Sequence, residues 1–188
     1  MEQYSTIVSG FGGQGVILTG KIIARSGMEK GLEVTWLPSY GPEMRGGTAN
    51  CTAIVSSKLI GSPVVKMPSS LIAFNKPSLD KFGPNVREDG LIVLNSSLID
   101  DFSSGGAREI VQLPLNDIAR EIGNQKVLNM VALGGWSRAS GVLSLSALQK
   151  GMKLTLEESG KSKFVDINER ALEAGFNKVK QEVKASGV

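Results

Sequence analysis

A β-branched run, a cluster of glycines and an apolar helical stretch follow one another near the start of the chain. This order constrains the fold more than any other feature. Tyr4 to Ser9 (YSTIVS) has the composition of a buried strand, and Gly10-Phe11-Gly12-Gly13-Gln14-Gly15 follows it at once. Val16 to Lys30 then places apolar residues at Val16, Ile17, Ile22, Ile23 and Met28 until Gly31 stops it, which predicts a helix. Glu33 to Leu37 (EVTWL) reads as a second strand. Strand, glycine turn, helix and strand in that order predict a right-handed βαβ unit with the glycines at the carboxyl edge of the first strand, where a ligand would sit.

Pro38 to Gly47 (PSYGPEMRGG) is rich in turn formers and predicts a long loop feeding a strand over Thr48 to Ser56. Ser70 to Phe74, Leu91 to Leu94 and Glu109 to Leu113 are short apolar runs of buried-strand type. Lys76 to Phe82 reads as a short helix begun by Pro77. Asn116 to Ile122, Val127 to Ser140, Ser146 to Met152 and Val165 to Val183 have helical spacing, broken by Gly141 and Gly160. The alternation predicts an α/β fold, a three-layer Rossmann-like sandwich around a mostly parallel sheet with a helical C-terminal part, built by residues 1–188 as a single domain.

The glycine run fits two phosphate-binding patterns at once. Residues 10–15 spell G-x-G-x-x-G, and residues 15–21 spell the G-x-x-x-x-G-K core of a P-loop. A P-loop needs Ser or Thr after its Lys to hold Mg²⁺, and Ile22 follows Lys21. A dinucleotide site asks for an acid at the end of the second strand; Glu33 has the right distance in sequence but opens that strand. The physics common to both patterns is that glycines let backbone N–H groups at a helix N-terminus approach an anion closely. The same glycines would also serve a tight turn and close packing of helix on strand alone.

The chain has one cysteine, Cys51, and no histidine. It therefore cannot form an internal disulfide, build a zinc site or hold an iron–sulfur cluster by itself, and it lacks the usual base of a nucleophilic triad. The formal charge of +3 is mild and the basic residues are scattered, which argues against nucleic acid as a partner. No basic leader precedes an apolar segment and no run reaches membrane-spanning length, so a soluble cytoplasmic protein is expected.

GFGGQGVILTGK, followed by SYGPEMRGGTANCTAIVSS, IGSPVV, SLIAFN, VLNMVALGG and VDINERALEAG, resembles the gamma subunit of 2-oxoacid:ferredoxin oxidoreductases, of the 2-oxoglutarate and branched-chain 2-oxoacid types. The resemblance implies a complex that decarboxylates a 2-oxoacid, here expected to be 2-oxoglutarate, passes electrons to ferredoxin and transfers the acyl group to coenzyme A. It further implies alpha, beta and ferredoxin-like delta subunits as partners, with thiamine diphosphate, Mg²⁺ and 4Fe–4S clusters on those partners and no catalytic residue on this chain. By the same resemblance, Gly10, Gly12, Gly13, Gln14, Gly15 and Lys21 match the coenzyme A side of the site. Tyr40, Glu43, Met44, Arg45, Gly46 and Gly47 match a loop at the active-site entrance, facing the catalytic subunits. Cys51 and Trp136 read as packing residues. The rival readings are a stand-alone NAD(P)-linked oxidoreductase, which would need the missing strand-two acid, and a non-catalytic nucleotide-sensing module.

Overall fold

The computed structural model describes residues 3–40, 48–101 and 108–179, with Tyr40 described by its backbone only. Among the described residues the elements are β1 (Gln3–Phe11), α1 (Val16–Glu29), β2 (Glu33–Tyr40), β3 (Thr48–Ser56), β4 (Ser70–Ala73), α2 (Lys76–Phe82), β5 (Leu91–Asn95), β6 (Glu109–Leu113), α3 (Leu115–Ile122), α4 (Leu128–Ser140), α5 (Leu145–Glu158) and α6 (Val165–Lys178). The strands form one sheet in the order β2-β3-β1-β4-β5-β6. The pairs β1–β4, β4–β5 and β5–β6 are parallel, whereas β3 runs antiparallel to both β1 and β2.

The apolar runs are continuous because both faces of the central strands are covered. Ile7, Leu71, Ala73, Ile92 and Leu94 point into a small core with Leu79 of α2, Val86 and Ile99. Their neighbours Val8, Ile72 and Val93 point the other way, into the larger core that also takes Cys51, Ala53 and Val55 of β3 and the apolar stripes of α1, α3, α4, α5 and α6. Two unequal helical layers on one sheet are the expected three-layer sandwich. Trp136 is fully buried in the larger core, where its Nε1 donates to Ser70 Oγ at 2.9 Å and its ring meets Tyr4 edge-on at 6.2 Å.

Several details depart from the sequence reading. First, β2 does not stop at Leu37 but runs on through Pro38 and Ser39 to Tyr40, pairing Pro38 with Cys51 of β3. Among the described residues β2 is the sheet's edge strand, so a proline there costs no ladder bond when its nitrogen faces outward. Secondly, β2 is parallel to β1 but not beside it, because β3 fills the position between them. The helix α5 also extends to Glu158, six residues past the expected Met152.

Candidate functional site

The chain leaves β1 for α1 on one face of the sheet and leaves the neighbouring β4 for α2 on the other, as the two cores show. The crevice outside the carboxyl ends of β1 and β4 is thus a topological switch point, the place where open α/β sheets bind ligands. The glycine loop forms one lip of it. Phe11, Gly12 and Gly13 are exposed, while Gln14 and Gly15 are half-buried.

Each glycine at the ends of the run answers to a particular neighbour. A Cβ on Gly10 would lie 2.6 Å from Gln14 Oε1 and 2.9 Å from Phe74 Cβ, so glycine leaves room for Gln14 to fold back over the strand end. Gln14 Oε1 accepts the Phe11 N–H at 2.6 Å, and Gln14 N–H bonds to the Phe11 carbonyl at 3.2 Å, closing a tight turn. Gly15 has φ +77°, and a Cβ there would lie 2.5 Å from Asn129 Nδ2. Its carbonyl accepts from Thr19 N at 2.9 Å, Thr19 Oγ1 at 3.0 Å and Asn129 Nδ2 at 3.4 Å. Packing therefore accounts for Gly10 and Gly15. Gly13 has φ +94°, and a Cβ there would meet no atom within 4 Å, so this glycine faces open space.

The first turn of α1 has no side-chain cap and no acidic residue, so its leading N–H groups are left to solvent or to a ligand. Lys21 is exposed on the same helix and makes no ion pair among the described residues. It lies six residues beyond Gly15, about 9 Å along the helix axis. Glu33, by contrast, opens β2 opposite Ser56, at the sheet edge away from the glycines. Among the described residues, the other end of β2, where Leu37, Pro38 and Ser39 stand, offers no acid for the ribose clamp of a dinucleotide site.

Strand register also brings a second stretch to this edge. Phe11 pairs with Thr48, Gly10 with Ala49, and Ala49 with Tyr40. The flanks of the expected entrance loop therefore sit beside the glycine loop, although Glu43, Met44, Arg45, Gly46 and Gly47 and the Tyr40 side chain lie outside the described residues.

Two site residues were not anticipated from the sequence. Asn75 and Asn129 both brace the loop, Asn75 through Gln14 Oε1 at 3.3 Å and Asn129 through the Gly15 carbonyl. Asn75 stood in plain view as the residue before a Pro-initiated helix, where asparagine is a common cap, but its second bond depends on the fold.

Cys51 is fully buried and its thiol donates to the Val16 carbonyl at 3.3 Å. Burial pushes its pKa up to about 12 from an ordinary 9.0. The folded chain should then resist Ellman's reagent at pH 8 except at its unfolding rate; fast stoichiometric labelling would contradict the buried assignment. Above pH 9 the unfolded thiol ionises while the folded one keeps its proton, so stability should fall as pH rises toward 12. Cys51→Ala should remove that part of the alkaline loss.

Among the described residues, no cluster of His, Cys, Asp and Glu could hold a metal ion, and no helix is long and apolar enough to cross a membrane. A family model described as pyruvate ferredoxin/flavodoxin oxidoreductase matches residues 5–178. Ketoisovalerate oxidoreductase subunit VorA of Methanothermobacter marburgensis is 40% identical over 168 residues, covering 89% of this chain but 35% of that protein, so the chain spans about a third of this relative's length. The gamma subunit of a keto/oxoacid ferredoxin oxidoreductase from Geobacter sulfurreducens has the same fold, with a TM-score of 0.79 and 30% identity over 93% of this chain and 97% of that one. A 2-oxoglutarate:ferredoxin oxidoreductase from Magnetococcus marinus, solved with 2-oxoglutarate, coenzyme A and succinyl-CoA bound, shares the fold at a TM-score of 0.83 and 22% identity, covering 96% of this chain and 32% of that one.

Proposed function

The chain belongs to the pyruvate ferredoxin/flavodoxin oxidoreductase family, and from that premise we propose that it is the gamma subunit of a 2-oxoacid:ferredoxin oxidoreductase, supplying the coenzyme A side of the active site. The observation that carries this reading is the convergence, at one sheet edge, of the glycine loop with the flanks of the SYGPEMRGG stretch. A phosphate at that edge would meet the N–H groups of Gly12, Gly13 and the first turn of α1, with Lys21 as counter-charge. Coenzyme A needs neither an acidic ribose clamp nor a Mg²⁺ ligand at this position, and neither is present beside the loop among the described residues. The bound coenzyme A in the Magnetococcus protein supports the choice of ligand.

In the proposed reaction the 2-oxoacid loses CO₂, its electrons leave for ferredoxin, and the acyl group passes to the thiol of coenzyme A. Thiamine diphosphate, Mg²⁺ and the iron–sulfur clusters belong to the alpha, beta and delta partners in this reading. One cysteine and no histidine cannot ligate a cluster. The tasks left to this chain are to bind the nucleotide end of coenzyme A, to orient its pantetheine toward the catalytic subunits and to seat those subunits. The identity to VorA makes a branched-chain 2-oxoacid the first substrate to test and 2-oxoglutarate the second.

Assembly needs surface. The excursion from Ser57 to Pro68 exposes Leu59, Val64 and Met67 at 87%, 68% and 62%, a concentration of apolar side chains suited to a partner subunit.

The test is reconstitution. The chain alone is expected to be colourless and inactive in dye-linked 2-oxoacid oxidation, and its complex with the co-purifying subunits to oxidise 2-oxoisovalerate faster than 2-oxoglutarate with coenzyme A dependence. Amides of residues 40–47 should exchange more slowly in the complex than in the free chain. Activity of the purified chain alone would overturn the subunit assignment, and unchanged exchange in 40–47 would remove that stretch from the interface.

A further inference from the structure

We infer that Asn75 is a positioning residue for the glycine loop, acting through Gln14 to hold the Gly12–Gly13 backbone in its anion-receiving shape. The inference rests on the reading that this loop receives a phosphate of coenzyme A. Asn75 follows β4 and is 3% exposed. Its Oδ1 accepts the Ser78 N–H at 3.0 Å and so caps α2, a task that Ser, Thr or Asp would perform equally well. What only the carboxamide adds is Nδ2, and this donates to Gln14 Oε1 at 3.3 Å.

Gln14 Oε1 is at the same time the acceptor for Phe11 N–H. One oxygen therefore gathers two donors, one from the exposed end of β1 and one from the buried start of α2. The Ser78 hydroxyl, in the first turn of α2, also receives the Ser9 hydroxyl of β1 at 3.0 Å. The path from buried layer to exposed lip is continuous: Ser9 to Ser78, Ser78 to Asn75, Asn75 to Gln14, Gln14 to Phe11. Gly12 and Gly13 follow Phe11 directly and have no side chain of their own to fix them. Without the Asn75 amide, Gln14 keeps the Phe11 bond but loses its anchor in the sheet, and the loop samples conformations in which its N–H groups do not converge. A ligand that binds one member of an ensemble loses affinity in proportion to that member's population.

The measurement uses the assembled enzyme with Asn75→Ser, Gln14→Ala and the double variant, with coenzyme A as the varied substrate. Ser keeps the cap on α2 and removes the donor to Gln14 without adding charge. Asn75→Ser is expected to raise the coenzyme A Michaelis constant about fivefold, the equivalent of one ordinary hydrogen bond. The 2-oxoacid constant, kcat and melting temperature should stay near the parent values. Because Asn75 acts through Gln14, the double variant should be no worse than Gln14→Ala alone. Amide exchange at residues 12–15 should accelerate in Asn75→Ser in the absence of any ligand. Should Asn75→Ser not fold, Asn75→Thr, which also caps without adding charge and lacks the amide donor, gives the same exchange comparison.

If Gln14→Ala raises the coenzyme A constant while Asn75→Ser does not, or if their effects multiply, Asn75 is only a cap and the inference is wrong. If neither variant moves the coenzyme A constant, it is the coenzyme A reading of the loop that fails. The exchange rates still decide the coupling in that case: unchanged exchange at residues 12–15 overturns it.

Discussion

Gly134→Ala is expected to destabilise the chain by about 3 kcal/mol, lowering the melting temperature by roughly 6–12 °C for a domain of this size. The reason is the crossing of α4 and α6, which meet backbone to backbone. A Cβ on Gly134 would fall inside the Leu172 carbonyl oxygen, and one on Gly175 inside the Val131 carbonyl oxygen, far closer than real Cβ contacts. Neither obstacle is the end of a flexible side chain that could turn aside. The helices would have to separate, opening contacts around Met130, Val131, Leu133 and Leu172, all fully buried. Gly175→Ala should cost a similar amount, and the double variant less than the sum, since the first methyl already parts the helices. Gly61→Ala is the control: Gly61 is exposed with no atom within 4 Å of the added methyl, and its melting should be unchanged. A Gly134→Ala protein that melts within a degree or two of the parent would mean that α4 and α6 are not held at this distance. The effect would reach the site as well, because Asn129, in the first turn of α4, bonds to the Gly15 carbonyl.

That crossing shows where sequence reading stops. Gly134 and Gly175 are ordinary as isolated helix glycines, and only the packing partner gives each its reason. Local signals did well where local physics decides: β3, β6 and α2 begin and end where β-branched composition, apolar runs and Pro77 place them. They failed at β2, because Pro38 and Ser39 are turn formers in isolation yet, together with Tyr40, are strand residues on a sheet edge. Nor does any residue of β3 announce that the strand will insert antiparallel between β1 and β2. That choice comes from pairing over a long sequence separation, and it is what carries Thr48 to Phe11 and so unites the two family stretches. In the site, Gln14 was legible by its place in the glycine run. Asn75 and Asn129 were not, since amide side chains bracing a backbone from distant elements leave no periodicity to read.

The glycine loop itself now divides into parts with different tasks, and this sharpens what a substitution at Lys21 should do. Gly10 and Gly15 are occupied by packing against Gln14, Phe74 and Asn129, so changing them perturbs fold and site together. Lys21 is exposed and unpaired among the described residues, so its removal should leave the fold alone. If its ammonium meets a coenzyme A phosphate above the uncapped first turn of α1, Lys21→Ala removes one charge-assisted contact worth about 1.5–3 kcal/mol. In the assembled enzyme the coenzyme A Michaelis constant should rise roughly tenfold to hundredfold, with the 2-oxoacid constant and melting temperature unchanged. Added salt should weaken coenzyme A binding more steeply in the parent than in the variant, because the screened interaction is present only in the parent. Lys30→Ala, at the far end of the same helix, should do neither. An unchanged coenzyme A constant in a well-folded Lys21→Ala complex would reduce Lys21 to a solvated surface charge, leaving the backbone N–H groups of the loop and helix as the anion donors at this site.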